Sequence, residues 1–297
     1  MEASRSENTQ AVYRQALMSF SKFIGIYFPG QQESFSVEQV ALFISFLSLQ
    51  GYAAATVCTY VAGISFHLRS SGLADVTKNF VVSRVLEGCR RRRSRVDTCC
   101  PITLPLLRKI LTCVTRVCTS YDAVLFRACF TMAFFGFLRV GEFTGISRSA
   151  TRVSLSANDV LIFGRSPRRE LRIFIRSSKT DQLGRGCYII IPEQAGNMLC
   201  PVVAAESYLA IRPQSGEAFF REFDGRQLTR RVFTEVLRKC LSFLNIPASR
   251  FASHSFRIGA ATSAAMAGFD STDIQKMGRW STDTHKRYIR INMQVGV

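Results

Sequence analysis

His254-Ser255-Phe256-Arg257-Ile258-Gly259-Ala260-Ala261 opens a stretch that runs through Gly278-Arg279-Trp280 to Tyr288-Ile289-Arg290. The apolar spacing predicts a helix over residues 254–267, and His254 and Arg257, three apart in its first turn, leave from one face. The free amides of that turn favour an anion beside them. Gly259, Ala260, Ala261, Ala264 and Ala265 behind them permit close helix packing. Taken singly, each polar residue has an ordinary role: His-x-x-Arg is common, Trp280 serves a core, and Tyr288 suits an amphipathic helix. With Arg139 and Lys179 upstream, the order of two arginines, a lysine, a histidine, the sole tryptophan and a tyrosine is hard to assign to chance. Together they supply what a metal-free attack on a phosphodiester requires.

Upstream of this stretch lies a small sheet. Residues 160–163, 171–176 and 187–191 read as strands, the last two rich in Ile and aromatic residues and joined by a turn-forming segment that carries Lys179. A lysine in such a turn is ordinarily a solubility residue, and its flexible ammonium can equally reach a ligand. Helical spacing covers residues 104–118 and 123–136, the latter strongly apolar and ending in Phe137-Leu138-Arg139-Val140-Gly141-Glu142. A guanidinium emerging from so apolar a segment is costly unless it meets an anion or a carboxylate. Further helices are predicted over 201–211, 229–244, 272–277 and 282–290.

The first hundred residues read as four helices, over 11–28, 36–49, 54–68 and 79–92, with Ser36 placed to cap the second. The fourth runs into Arg90-Arg91-Arg92-Arg93-Ser94-Arg95, then a polar break and Pro101, which predicts a domain boundary near residue 98. That arginine run suits a solvated helix end, a phosphate clamp or a nuclear import signal. The expected fold class is therefore α+β: mainly α with a small antiparallel β-sheet, in two domains, residues 1–98 and 99–297.

Charge agrees with an anionic partner. The 297 residues carry 39 Lys+Arg against 21 Asp+Glu, a formal net charge of +18, more than solubility requires. A 47% hydrophobic composition argues for a packed core rather than a basic tail. No apolar run approaches the roughly 18 residues of a membrane span, and residues 1–10 are too polar for a signal peptide. An intracellular, nuclear protein is expected. The 10 cysteines show no C-x-x-C pair, so neither zinc spacing nor a secreted disulfide framework is signalled.

In this order the reactive positions resemble those of the tyrosine recombinases, the phage integrase family, and the likeness covers nearly the whole chain. The resemblance implies a helical, SAM-like core-DNA-binding domain with a basic linker (Arg90, Arg91, Arg92, Arg93, Arg95), followed by a catalytic domain. It implies Tyr288 as nucleophile, Arg139 and Arg257 as forks on the nonbridging oxygens, His254 as proton acceptor and Trp280 as indole donor. Lys179 would protonate the departing 5′-oxygen, and Glu142 would buttress Arg139. A phenol ordinarily titrates near 10, so such a pocket must favour phenolate. The expected product is a 3′-phosphotyrosyl link, formed without metal, ATP or any small-molecule cofactor. The expected partner is double-stranded DNA, bound by a homotetramer, with no membrane involved. The Gly-Arg-Trp form and Tyr-Ile-Arg ending are most similar to recombinases of eukaryotic mobile elements such as DIRS-like retroelements and Cryptons.

Two departures stand out. Trp280 precedes Tyr288 by eight positions, one fewer than in some bacterial and phage relatives, and only nine residues follow Tyr288. A tail so short puts cyclic assembly in doubt, or marks the chain as a fragment. Alternatives from other classes are a retired, mobile-element-derived DNA-binding protein, a type IB-like topoisomerase, and a purely structural protein.

Overall fold

Capping chemistry sets the start of one helix of the N-terminal unit. Ser36 Oγ accepts the Gln39 amide at 3.1 Å while Gln39 Oε1 accepts the Ser36 amide at 3.3 Å, a reciprocal box that starts the helix Val37–Leu49. The computed structural model describes residues 7–30, 35–92, 97–145, 147, 153–178, 181, 184–214 and 216–291, and divides into two compact units, Met1–Asp97 and Thr98–Val297. In the first, α1 (Glu7–Tyr27), α2 (Val37–Leu49), α3 (Ala54–Ser70) and α4 (Phe80–Arg92) enclose Phe20, Phe43, Ile44, Val57 and Ile64. Phe20 meets Phe43 edge-on with ring centroids 5.2 Å apart, a favoured aromatic geometry.

In the second unit α5 (Leu104–Val117) and α6 (Ser120–Phe135) lead to a single-turn α7 (Val140–Phe143). Three antiparallel strands follow in the order β1 (Val160–Phe163), β2 (Glu170–Ile175), β3 (Cys187–Pro192). Register pairs Arg172 of the central strand with Leu161 on one side and Ile190 on the other. One face, carrying Leu171, Ile173, Ile175 and Ile191, joins the core. The chain continues through α8 (Pro201–Ile211), α9 (Arg230–Phe243), α10 (Ser255–Met266) and α11 (Ser271–Met277). The fold is thus mainly helical with one small antiparallel sheet.

Apart from its first turn and Arg127, helix α6 is buried on nearly every face because it is the central element of this core. Phe130 on α6 stacks on Phe256 of α10, centroids 5.0 Å apart, and both touch Phe233 of α9. That packing brings the C-terminal end of α6, which leads into Arg139, beside the N-terminal end of α10, which carries Arg257. Gly259 makes the approach possible from the other side: a Cβ there would collide with the carbonyl of Ile102. The Ile102 amide in turn donates to the Ser255 carbonyl at 3.0 Å.

One element departs from expectation. In place of a helix over 282–290 the chain forms a 3-10 helix, Asp283–Tyr288. Tertiary anchors at both ends account for it. His285 is buried with Nε2 2.6 Å from Ser271 Oγ, while Thr262 Oγ1 donates to the Tyr288 carbonyl and accepts the Arg290 amide. The 3-10 form rises about 2.0 Å per residue against about 1.5 Å in an α-helix, so few residues bridge a longer distance.

Candidate active site

Two helix ends build the site, and each turns through a left-handed residue that is not glycine. After α6, Phe137 adopts φ +48°, its amide bonded to the Phe134 carbonyl and the Leu138 amide to that of Ala133. After α11, Arg279 adopts φ +57°, with the Arg279 and Trp280 amides bonded to the carbonyls of Lys276 and Gln275. Such a conformation costs about 1–2 kcal/mol for a residue with a Cβ, and here it persists where it aims two carbonyls inward. The Phe137 carbonyl accepts Arg257 Nη1 and the Gly278 carbonyl accepts Arg257 Nη2. Gly278 has no substitute at this point, since a Cβ would collide with the indole of Trp280.

Arg257 is 0% exposed. Its Cζ lies 4.1 Å from the centroid of Trp280 and 5.6 Å from that of Tyr288, and its Nε has no hydrogen-bond partner among the described residues. Burial, followed by the charges of Arg139 and Arg279, pushes its pKa down to about 9, which leaves it cationic at neutral pH. A buried cation held by carbonyl dipoles is poised for an anion.

The nearby carboxylate is committed elsewhere. Glu142 is 5% exposed, and its Oε1 accepts Arg139 Nη1 at 3.0 Å while its Oε2 accepts the Arg139 amide at 2.9 Å and Arg279 Nη2 at 2.8 Å. Burial alone would raise the pKa of Glu142, but the charge and hydrogen bonds of Arg279, then the Arg139 amide and charge, carry it below the ordinary value. Two guanidiniums therefore share this one carboxylate, and a third, Arg257, lies in the same pocket without a carboxylate of its own. The excess is positive, and in a water-poor pocket it favours a phosphodiester.

Tyr288 sits at the rim of this pocket, half-buried, its ring centroid 4.8 Å from Trp280 and 4.9 Å from His254. The Trp280 Nε1 donor is buried and has no partner among the described residues. The tertiary structure thus gathers Arg139, Glu142, His254, Arg257, Trp280 and Tyr288, which the sequence spreads over 150 positions. Lys179, Arg93 and Arg95 lie outside the described residues. Arg90, Arg91 and Arg92 are exposed at the end of α4 in the first unit, with Arg91 paired to Glu87. Arg279 is the site residue that sequence reasoning missed. Two signals pointed to it: its place beside the only tryptophan, and its position nine residues before Tyr288.

Among the described residues no group of three or more His, Cys, Asp or Glu is arranged to hold a metal, and no helix is long and apolar enough to cross a membrane. All ten cysteines are free, six of them buried.

The mainly helical unit with its small sheet, and the arginines gathered beside a tyrosine, define the tyrosine-recombinase class of catalytic domain. Residues 107–294 match the sequence profile of the Phage integrase family, and the chain belongs to that family. It is 30% identical over 117 residues to an integrase/recombinase XerD homolog of Selenomonas ruminantium, an alignment covering 37% of this chain and 34% of that protein. The matched part is thus about a third of the curated relative's length. Among solved structures, the XerH site-specific recombinase bound to palindromic difH substrate superposes with a TM-score of 0.68 at 14% identity, over 94% of this chain and 75% of that one. A lambda integrase dimer bound to a COC′ core site gives 0.64 at 14% identity, over 99% and 75%. The Tn1549 transposon integrase in complex with transposon right end DNA gives 0.59 at 13%, over 99% and 90%. At such identities the likeness speaks for the fold.

Proposed function

We propose that this protein is a site-specific DNA recombinase that cleaves and rejoins strands through a 3′-phosphotyrosyl intermediate. The observation that carries the reading is Arg257: a fully buried cation, held by two backbone carbonyls and roofed by Trp280 and Tyr288. A scissile phosphate beside it would receive N–H groups from Arg257 and Arg139 on its nonbridging oxygens and the indole N–H of Trp280. Tyr288 Oη attacks phosphorus, His254 accepts the phenolic proton, the bond to the 5′-oxygen breaks, and Lys179 protonates that oxygen. Reversal by a 5′-hydroxyl of another strand regenerates the phosphodiester, so no energy source is consumed.

The N-terminal helical unit and Arg90, Arg91, Arg92, Arg93 and Arg95 are assigned to the DNA backbone, and the working assembly to a homotetramer on DNA. The Gly278-Arg279-Trp280 and Tyr288-Ile289-Arg290 signatures favour a eukaryotic mobile-element lineage, which would place the protein in the nucleus.

The test is covalent trapping. Purified protein is incubated, with chelator present, with nicked duplexes drawn from the DNA flanking its own gene, and denaturation-resistant protein–DNA bands are sought. A band present in the wild type and absent in Tyr288→Phe supports strand transfer. Tight binding to the same duplexes with no band indicates a retired recombinase that acts as a DNA-binding protein. Relaxation of supercoils without site preference indicates a topoisomerase.

A further inference from the structure

Glu142 makes four contacts on its two oxygens, which is the full acceptor capacity of a carboxylate. Oε2 takes the Arg139 amide at 2.9 Å and Arg279 Nη2 at 2.8 Å; Oε1 takes Arg139 Nη1 at 3.0 Å and Arg279 Nη1 at 3.4 Å. Arg139 is consequently tied down through one guanidinium nitrogen only, although an arginine beside a glutamate ordinarily closes a two-pronged pair. The remaining lobe of the Arg139 fork has no acceptor among the described residues. Arg279 itself is fixed from several sides: by its left-handed backbone, by the Phe137 carbonyl at 3.4 Å from Nη2, and by Cys187 Sγ at 3.8 Å from Nη1. Cys187 begins β3 and so closes the loop that contains Lys179.

We propose that Arg279 is a positioning residue for strand cleavage: by saturating Glu142 it stops the carboxylate from capturing the second prong of Arg139, which stays available to the scissile phosphate. The proposal rests on the recombinase reading for its catalytic consequence, but the geometry it asserts exists without DNA. Two consequences follow. Removing Arg279 should let Arg139 swing fully onto Glu142, and the resulting loss of rate should vanish when Glu142 is already neutral.

The experiment has two arms, run on full-length Arg279→Gln, Glu142→Gln and the double variant. In DNA-free protein, the side-chain guanidinium NMR signals of Arg139, assigned by their disappearance in Arg139→Lys, should shift and sharpen in Arg279→Gln as both prongs engage Glu142. Unchanged signals would overturn the proposal. In single-turnover cleavage of a nicked duplex, Arg279→Gln should lower the rate about 30-fold in the wild-type background and less than about 3-fold in the Glu142→Gln background. Losses that multiply would also overturn it, since Arg279 would then act without Glu142. If Arg279→Gln does not fold, Arg279→Lys, which keeps a charge but only one prong, should give the same guanidinium shift at smaller amplitude; no shift would overturn the proposal. A wild type that forms no adduct would sink the recombinase reading, while the guanidinium spectrum would still decide the positioning role.

Discussion

The Arg257 guanidinium stands over Trp280 with its Cζ 4.1 Å from the indole centroid. This contact is what lets a cation sit at zero exposure. The same indole meets Phe137 edge-on and Tyr288 at a tilt, so one side chain links the guanidinium to both of these rings. Among the described residues its Nε1 has no partner.

Trp280→Phe retains a ring over Arg257 but deletes that donor. It should keep the melting temperature close to wild type and slow adduct formation about 100- to 1000-fold, the usual cost of one preorganised donor to a transition state. Single-turnover rates with matched melting curves test this; an unchanged rate would remove the indole N–H from the chemistry.

Arg257→Ala should abolish most cleavage, by about 1000-fold or more, while duplex affinity stays within about 5-fold, because nonspecific affinity comes from many phosphate contacts rather than one. Gel-shift titration beside covalent trapping separates the two quantities. A parallel fall in both would mean that Arg257 is chiefly a binding residue.

Glu142 predicts a pH signature. Its folded pKa is depressed, so the stability it contributes is fully present above the unfolded glutamate value, near 4.3, and is lost as pH falls through the folded value. Urea midpoints of wild type and Glu142→Gln, compared from pH 7 to pH 3, should differ at neutral pH, with wild type the more stable, and converge below about pH 4.3. A constant gap would show that the carboxylate is not ionised against its two arginines.

Gly259→Ala should destabilise by about 2–4 kcal/mol, because the new methyl group meets the Ile102 carbonyl, part of the backbone and unable to rotate away. Differential scanning calorimetry should show a drop of roughly 5–15 °C in the transition of the Thr98–Val297 unit. A drop under a degree would mean α10 can shift without consequence.

Replacing Arg90, Arg91 and Arg92 together by Ala should weaken binding to all duplexes alike and reduce the slope of log affinity against log salt by about 2–3, if each meets one phosphate. Arg91 is already paired with Glu87, which favours the lower end of that range.

Much of this protein was legible in its residues alone, wherever the governing interaction is local. Hydrophobic periodicity and caps located the helices to within a few residues, with Ser36 starting α2 as its sequence demanded, and short runs of strand-forming residues marked β1, β2 and β3. Residue order likewise nominated Arg139, His254, Arg257, Trp280 and Tyr288. What depends on distant contacts was not legible. The 3-10 form of Asp283–Tyr288 follows from anchors on Thr262 and Ser271 that no local propensity encodes. The left-handed turns at Phe137 and Arg279 follow from a buried guanidinium that needs both neighbouring carbonyls. The part played by Arg279 appears only when α11 is folded against α7, because a carboxylate shared by two arginines 140 positions apart is a property of tertiary packing and not of any stretch of chain.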